Sequence, residues 1–118
     1  MDRPLKGEER AILDFLLRVY FPGAEALRLQ APLARVVGRC PCGWATIEIQ
    51  VEEKRAPAAR VLGRVPVEAS SAHPALGLLL FVDEGYLSGL EIFSTEDEGP
   101  LATFPDPSTF DRSREAEL

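Results

Sequence analysis

Between residues 12 and 20 the apolar side chains of Ile12, Leu13, Phe15, Leu16, Leu17, Val19 and Tyr20 recur at spacings of three and four. That spacing predicts an amphipathic helix over residues 8–20. Glu8 and Glu9 fall in its first turn, where carboxylates suit the positive end of the helix dipole, and Pro22-Gly23 ends it. Beyond the helix the repeat shortens toward two. Short alternating runs between turn signals predict strands near 25–30, 33–39, 44–52, 60–68, 76–82 and 86–93, with loops at 53–59 and 69–75. The clearest strand is 44–52: Ala45, Ile47, Ile49 and Val51 point one way, and Trp44, Thr46, Glu48, Gln50 and Glu52 point the other. The nearly unbroken apolar run Leu76–Val82 marks a central strand covered on both faces or a strand whose outer face lies under the tail. Asp83-Glu84-Gly85 then predicts a hairpin turn with glycine at positive φ. The pattern as a whole predicts an α+β fold, with one N-terminal helix packed on a mostly antiparallel sheet of five to six strands.

The helix and strand signals stop before the end of the chain. Pro100, Pro105 and Pro107 exclude regular structure until Ser108, so an irregular, proline-rich acidic tail is expected, pinned to the sheet by Phe104 and Phe110. A length of 118 residues with 46% hydrophobic content fits one domain. It is drawn here over residues 1–107, with 108–118 as a mobile acidic tail.

Charge narrows the function classes. Residues 1–82 carry eleven Lys and Arg against nine Asp and Glu, a balance of +2; residues 83–118 carry two against ten, a balance of −8. A near-neutral body with an acidic end offers no basic field for a nucleic-acid backbone, so nucleic acid is not an expected partner. No apolar run approaches the roughly 18 residues of a membrane span, and the N-terminus lacks the basic start and apolar core of a secretory signal. Membrane association is therefore not expected, and the chain reads as soluble and cytoplasmic. Asparagine is absent and arginine far outnumbers lysine, as in proteins of thermophilic or GC-rich bacteria.

The densest chemistry is Cys40-Pro41-Cys42-Gly43-Trp44, which holds both cysteines and the single tryptophan. Two thiolates could supply half of a tetrahedral zinc site, with His73 as a third ligand and Glu48 or Asp83 as a fourth. A symmetric dimer would bring four cysteines together. The spacing falls short of paired C-x-x-C clusters, and C-x-C before a strand is not the C-x-x-C at a helix start that favours redox catalysis. A bridge across one residue would be easily reduced, which leaves room for a regulatory disulfide. The reading with more support is a corner in which Pro41 and Gly43 shape the turn and the sulfurs pack as small apolar groups.

Other candidates are weaker. Glu48, Glu52 and Glu91 project from strands, but Arg35 and Arg39 on the neighbouring strand are expected to pair with Glu48. The acidic run Glu96-Asp97-Glu98 lacks the alternating ligand spacing of a calcium loop. Ser70-Ser71 has no nucleophile-elbow context, and His73 stands alone beside a proline.

Two segments, Arg39-Cys40-Pro41-Cys42-Gly43-Trp44-Ala45-Thr46-Ile47 and Gly85-Tyr86-Leu87-Ser88-Gly89-Leu90-Glu91-Ile92, lie in an order that resembles a family of small bacterial proteins frequent in high-GC genomes. The likeness covers roughly residues 8–107 through short motifs. It implies no activity, because that family has none assigned. Its members often carry a third cysteine where Trp44 stands here, which weighs against a metal or redox role for the sulfurs.

Taken together, the residues favour a small non-catalytic binding or interaction domain, with a protein partner or its own copy as the target and Trp44 and Tyr86 as contact residues. The alternative is a metal- or redox-linked protein built on Cys40 and Cys42, with His73 completing a zinc site. An enzyme assembled from scattered carboxylates would need a concave pocket near Glu48, Glu91 or His73.

Overall fold

The computed structural model describes residues 1–94 and 99–111 and contains two helices and one six-stranded antiparallel sheet. The elements in chain order are β1 (Arg3–Pro4), α1 (Gly7–Leu17), α2 (Ala24–Gln30), β2 (Arg35–Arg39), β3 (Ile47–Gln50), β4 (Val67–Ala72), β5 (Ala75–Asp83) and β6 (Tyr86–Ser94). Across the sheet the strands run β1-β2-β3-β6-β5-β4. The α+β architecture expected from the pattern is thus present, with a second helix added.

That second helix replaces the strand expected at 25–30. Leu27 and Leu29 suggest alternation, but Ala24-Glu-Ala-Leu-Arg-Leu-Gln30 consists of strong helix formers, and burial falls on Ala24, Leu27, Gln30 and Ala31 at helical spacing. Leu29 is left 62% exposed. Gly23, at φ +94°, makes the corner between the helices, and a Cβ there would come within 2.7 Å of the Arg60 carbonyl oxygen. Arg28 closes the end of α1, donating from Nε to the Leu17 carbonyl at 2.6 Å and from Nη2 to that of Val19 at 3.3 Å. The helix therefore stops at Leu17 instead of continuing to residue 20.

The strand expected at 60–68 is also displaced. Gly63 has φ +77° and Pro66 has no N–H to pair, so regular pairing starts only at Val67. The expected loop 69–75 is instead mostly β4, a strand that packs beneath α1 with Ala69 turned into the core. A turn signal and a thin strand under a helix look alike in composition. The hairpin at Glu84-Gly85 is as expected: both residues have positive φ, 51° and 87°, which is the backbone of a type I′ turn.

Cross-strand register sorts the side chains onto two faces. On the inner face Ile47, Leu90, Leu80 and Val67 form one row across β3, β6, β5 and β4, and Ile92, Leu78 and Ala69 form the next. These residues join Ile12, Leu13, Leu16, Leu17, Phe21 and Leu27 in the core. The helices cover this face only, α1 over β4 and α2 over β6. Phe104 and Phe110 are buried against the same core, and Asp111 exchanges two backbone hydrogen bonds of 2.8 Å with Ser70 on the β4 edge. The boundary drawn after residue 107 falls at a short 3-10 turn, Pro107–Thr109, that packs on α1. Residues 112–118 of the predicted mobile tail and the acidic run Glu96-Asp97-Glu98 lie outside the described residues.

Candidate functional site

The outer face of the sheet, opposite the helices, contributes no side chain to the core cluster. Its register rows are Phe93, Gly77 and Ser70; then Glu91, Leu79 and Glu68; then Glu48, Gly89 and Phe81. Phe93 bends over Gly77, filling the place a side chain would occupy: a Cβ on Gly77 would meet the Phe93 ring at 2.3 Å. An apolar stripe of Phe93, Leu79 and Phe81 therefore follows β5, half-buried and with carboxylates on the neighbouring strands.

Two β-bulges shape this face. Val37 is the extra residue between Val36 and Gly38 on β2, and Ser88 is the extra residue opposite Phe81 and Val82 on β6. A bulge bends and twists its strand. Both bulged residues line a depression of about 430 Å³, together with Glu48, Phe81, Gly89 and Glu91. A second hollow of about 540 Å³, lined by Glu52, Glu53, Tyr86 and Ser88 among others, adjoins it toward the β5–β6 turn. At the rim, Arg64 lies over Phe81 with its guanidinium carbon 5.6 Å from the ring centre and bonds Asp83 at 2.8 Å. The Arg64 hydrogen bond is the main reason the Asp83 carboxyl sits below its ordinary range.

The Cys40–Trp44 segment forms the connection from β2 to β3. Cys40 and Cys42 sit at disulfide distance with Cα atoms 5.2 Å apart, the bridge across one residue that the sequence leaves open. Gly43, at φ +90°, stands against Pro100. His73 lies in the β4–β5 turn, which is at the same end of the sheet but three strand steps from the β2–β3 connection, roughly 14 Å at ordinary strand spacing. One chain therefore does not bring His73 to Cys40 and Cys42. Among the described residues no three His, Cys, Asp or Glu side chains gather closely enough to hold a metal ion.

The two residues proposed for contacts are also separated. Trp44 is partly buried against the core near the cysteine corner, while Tyr86 starts β6 at the opposite end of the sheet. The Tyr86 hydroxyl lies 3.1 Å from the Ala56 carbonyl oxygen and 3.2 Å from that of Glu53, which fixes the turn at 53–55. The expected pairing of Arg35 and Arg39 with Glu48 is not formed. Arg35 binds Asp2, Arg39 donates to the Ala102 carbonyl at 2.7 Å, and Glu48 folds over Gly38. Sequence reasoning missed the outer stripe because its members look like ordinary strand residues. Only the register shows that Leu79 and Phe81 face away from the helices.

No family model matches the chain, and neither does any curated protein or solved structure. Among the described residues no helix is long and apolar enough to cross a membrane.

Proposed function

We propose that this chain is a small non-catalytic binding domain that engages a protein partner through the sheet face its helices leave bare. The supporting observation is the stripe of Phe93, Leu79 and Phe81, which lies outside the core cluster on a face hollowed by two bulges. Apolar side chains in a contiguous concave patch mark interaction surfaces more often than scattered exposed ones do. The hollow beside Glu48 and Glu91 keeps a pocket available to an enzyme, but no histidine or cysteine lines it. The acidic balance speaks against nucleic acid as the partner.

The test is site-specific photo-crosslinking in the host cell, with a benzophenone side chain placed at Leu79 or, as a control, at exposed Asp14 on α1. A discrete adduct from position 79 and none from position 14 is the expected result. Absence of any adduct from the outer face, in a protein that light scattering shows to be a strict monomer, would overturn the reading.

A second reading, a redox-linked role for Cys40 and Cys42, draws on the joined sulfurs. A metal role for the pair would first require reduction, because a disulfide has no thiolate to offer. Thiol titration and elemental analysis of protein purified without added metal separate these roles. Free thiols under oxidising and reducing conditions alike, with no zinc or iron, would end both.

A further inference from the structure

Resting on the binding-domain reading, we infer that the partner of the outer face is a protein segment that docks as a basic amphipathic helix. Four residue steps along β5, from the Phe93-covered Gly77 to Phe81, span about 14 Å, which matches two and a half turns of helix. Glu68 on β4 and Glu91 on β6 stand one strand to either side of Leu79, so the apolar stripe is about 10 Å wide between carboxylates. A helix with its side chains is about that wide. Such a helix would lay its apolar stripe on Phe93, Leu79 and Phe81 and carry cations on the flank toward Glu91 and Glu48, completing a third layer over the sheet.

The depression gives the contact its specific feature. In the row Phe81, Gly89, Glu48 the central residue has no side chain, so a gap floored by Gly89 separates Phe81 from Glu48, whose carboxylate leans the other way over Gly38. Glu91 lines the same gap. A lysine or arginine of the partner fits there, its methylene stem along Phe81 and its head at Glu91, with Glu48 turning from Gly38 to meet it. Among the described residues, the cation that lines the gap, Arg64, is engaged by Asp83. A second copy of the chain is a poor occupant, because it would bring the same glutamates to the interface and shares the net charge of −6.

The probe is a labelled 18-residue helical peptide with a leucine stripe flanked by lysines, titrated by fluorescence anisotropy at low salt. One control has glutamate in place of every lysine, and another has the lysine peptide's composition scrambled so that no stripe forms. The lysine helix is expected to bind, with backbone amide NMR shifts at Leu79, Phe81 and Gly89, and to weaken steeply with salt. The double variant Glu48→Lys/Glu91→Lys, checked for an unchanged melting curve, is expected to lose at least tenfold in affinity. Equal binding of the scrambled or glutamate peptide, or undiminished binding to the double variant, would overturn the inference. So would a dimer in light scattering that Leu79→Lys dissolves. Failure of the lysine helix to bind while the position-79 adduct persists would overturn the helix but leave the binding domain standing.

Discussion

Gln30 and Gly85, 55 residues apart in the chain, are tied by a 2.8 Å hydrogen bond from the Gln30 side-chain amide to the Gly85 carbonyl. The same amide nitrogen donates to the Pro57 carbonyl at 2.9 Å, and the side-chain oxygen accepts from the Leu87 N–H at 2.9 Å. Gln30 is fully buried, so one side chain locks the end of α2, the loop before β4 and the β5–β6 turn together. A buried polar group is tolerated when its partners are complete, and these three bonds complete it.

Gln30→Leu keeps the volume and removes all three bonds, orphaning the Leu87 N–H and the Pro57 carbonyl, while the Gly85 carbonyl keeps the 2.7 Å bond from the Ala59 N–H. Each unsatisfied buried group costs about 1–3 kcal/mol, so a loss of about 3 kcal/mol is expected, read by chemical denaturation. Gln30→Glu should be worse above neutral pH, because a carboxylate cannot donate to either carbonyl. A loss below 1 kcal/mol for both variants would mean that water replaces the amide.

The pair Arg3–Glu9 makes a pH prediction. Burial raises the Glu9 pKa, but the hydrogen bond from Arg3, the bond from the Lys6 backbone N–H and the nearby positive charges together outweigh it, and the net shift is downward. Two bonds of 2.9 Å join the guanidinium to the carboxylate, which is 5% exposed. A folded pKa below the unfolded value stabilises the protein above the unfolded pKa, near 4.3, and the contribution is lost as pH falls through the folded value. Acid unfolding of the wild type should therefore be steeper below pH 4 than that of Glu9→Gln. Arg3→Ala leaves the burial of the Glu9 carboxylate less opposed and is expected to cost about 2 kcal/mol at pH 7, with a smaller loss at pH 4. A cost equal at both pH values would show that packing, not charge, carries the effect.

How much of this could be read in the sequence follows from which forces are local. The stripe from Ile12 to Leu17 and the positive-φ turn at Gly85 depend on near neighbours, and both appear where the pattern places them. The span 25–30 was ambiguous because Leu27 and Leu29 satisfy a two-residue repeat, while the packing that decides for helix comes from Gln30 reaching Gly85 and Leu87. β4 is hidden because Ala69-Ser70-Ser71 has the composition of a turn, and no local signal reports the packing of the strand under α1. The candidate surface depends on register: Leu79 and Leu80 are indistinguishable as sequence, yet one faces out and the other pairs with Leu90 in the core. Cys40 and Cys42 drew attention through rarity, whereas the outer stripe is made of common residues.

Reducing the disulfide should change stability little. The loop it closes contains only Pro41 between the two cysteines, so the entropy it removes from the unfolded chain is small, at most about 1.5 kcal/mol. The double variant Cys40→Ser/Cys42→Ser is expected to melt within about 6 °C of the wild type. Amide exchange should quicken locally, at Cys40, whose N–H donates to the Thr46 carbonyl at 3.2 Å, and around Gly43 and Pro100. Global unfolding on reduction would make the corner a structural staple instead.

Gly77→Ala probes the outer stripe without touching its charges. The new Cβ would meet the Phe93 ring at 2.3 Å, and the atoms it meets are the far end of a side chain rather than backbone. The ring can therefore swing away. Alanine also gains about 0.5–1 kcal/mol over glycine in a strand, which offsets part of the lost contact. The net change in stability is expected to stay within about 1.5 kcal/mol, whereas displaced aromatic resonances of Phe93 and a weaker position-79 adduct would show that the ring forms one end of the contact surface. Phe93→Ala should weaken the adduct similarly while leaving Gly77 open to solvent. An unchanged adduct in both variants would confine the contact to Leu79 and Phe81, and a loss above 3 kcal/mol in Gly77→Ala would show that the ring is held in place and the backbone of β5 had to move.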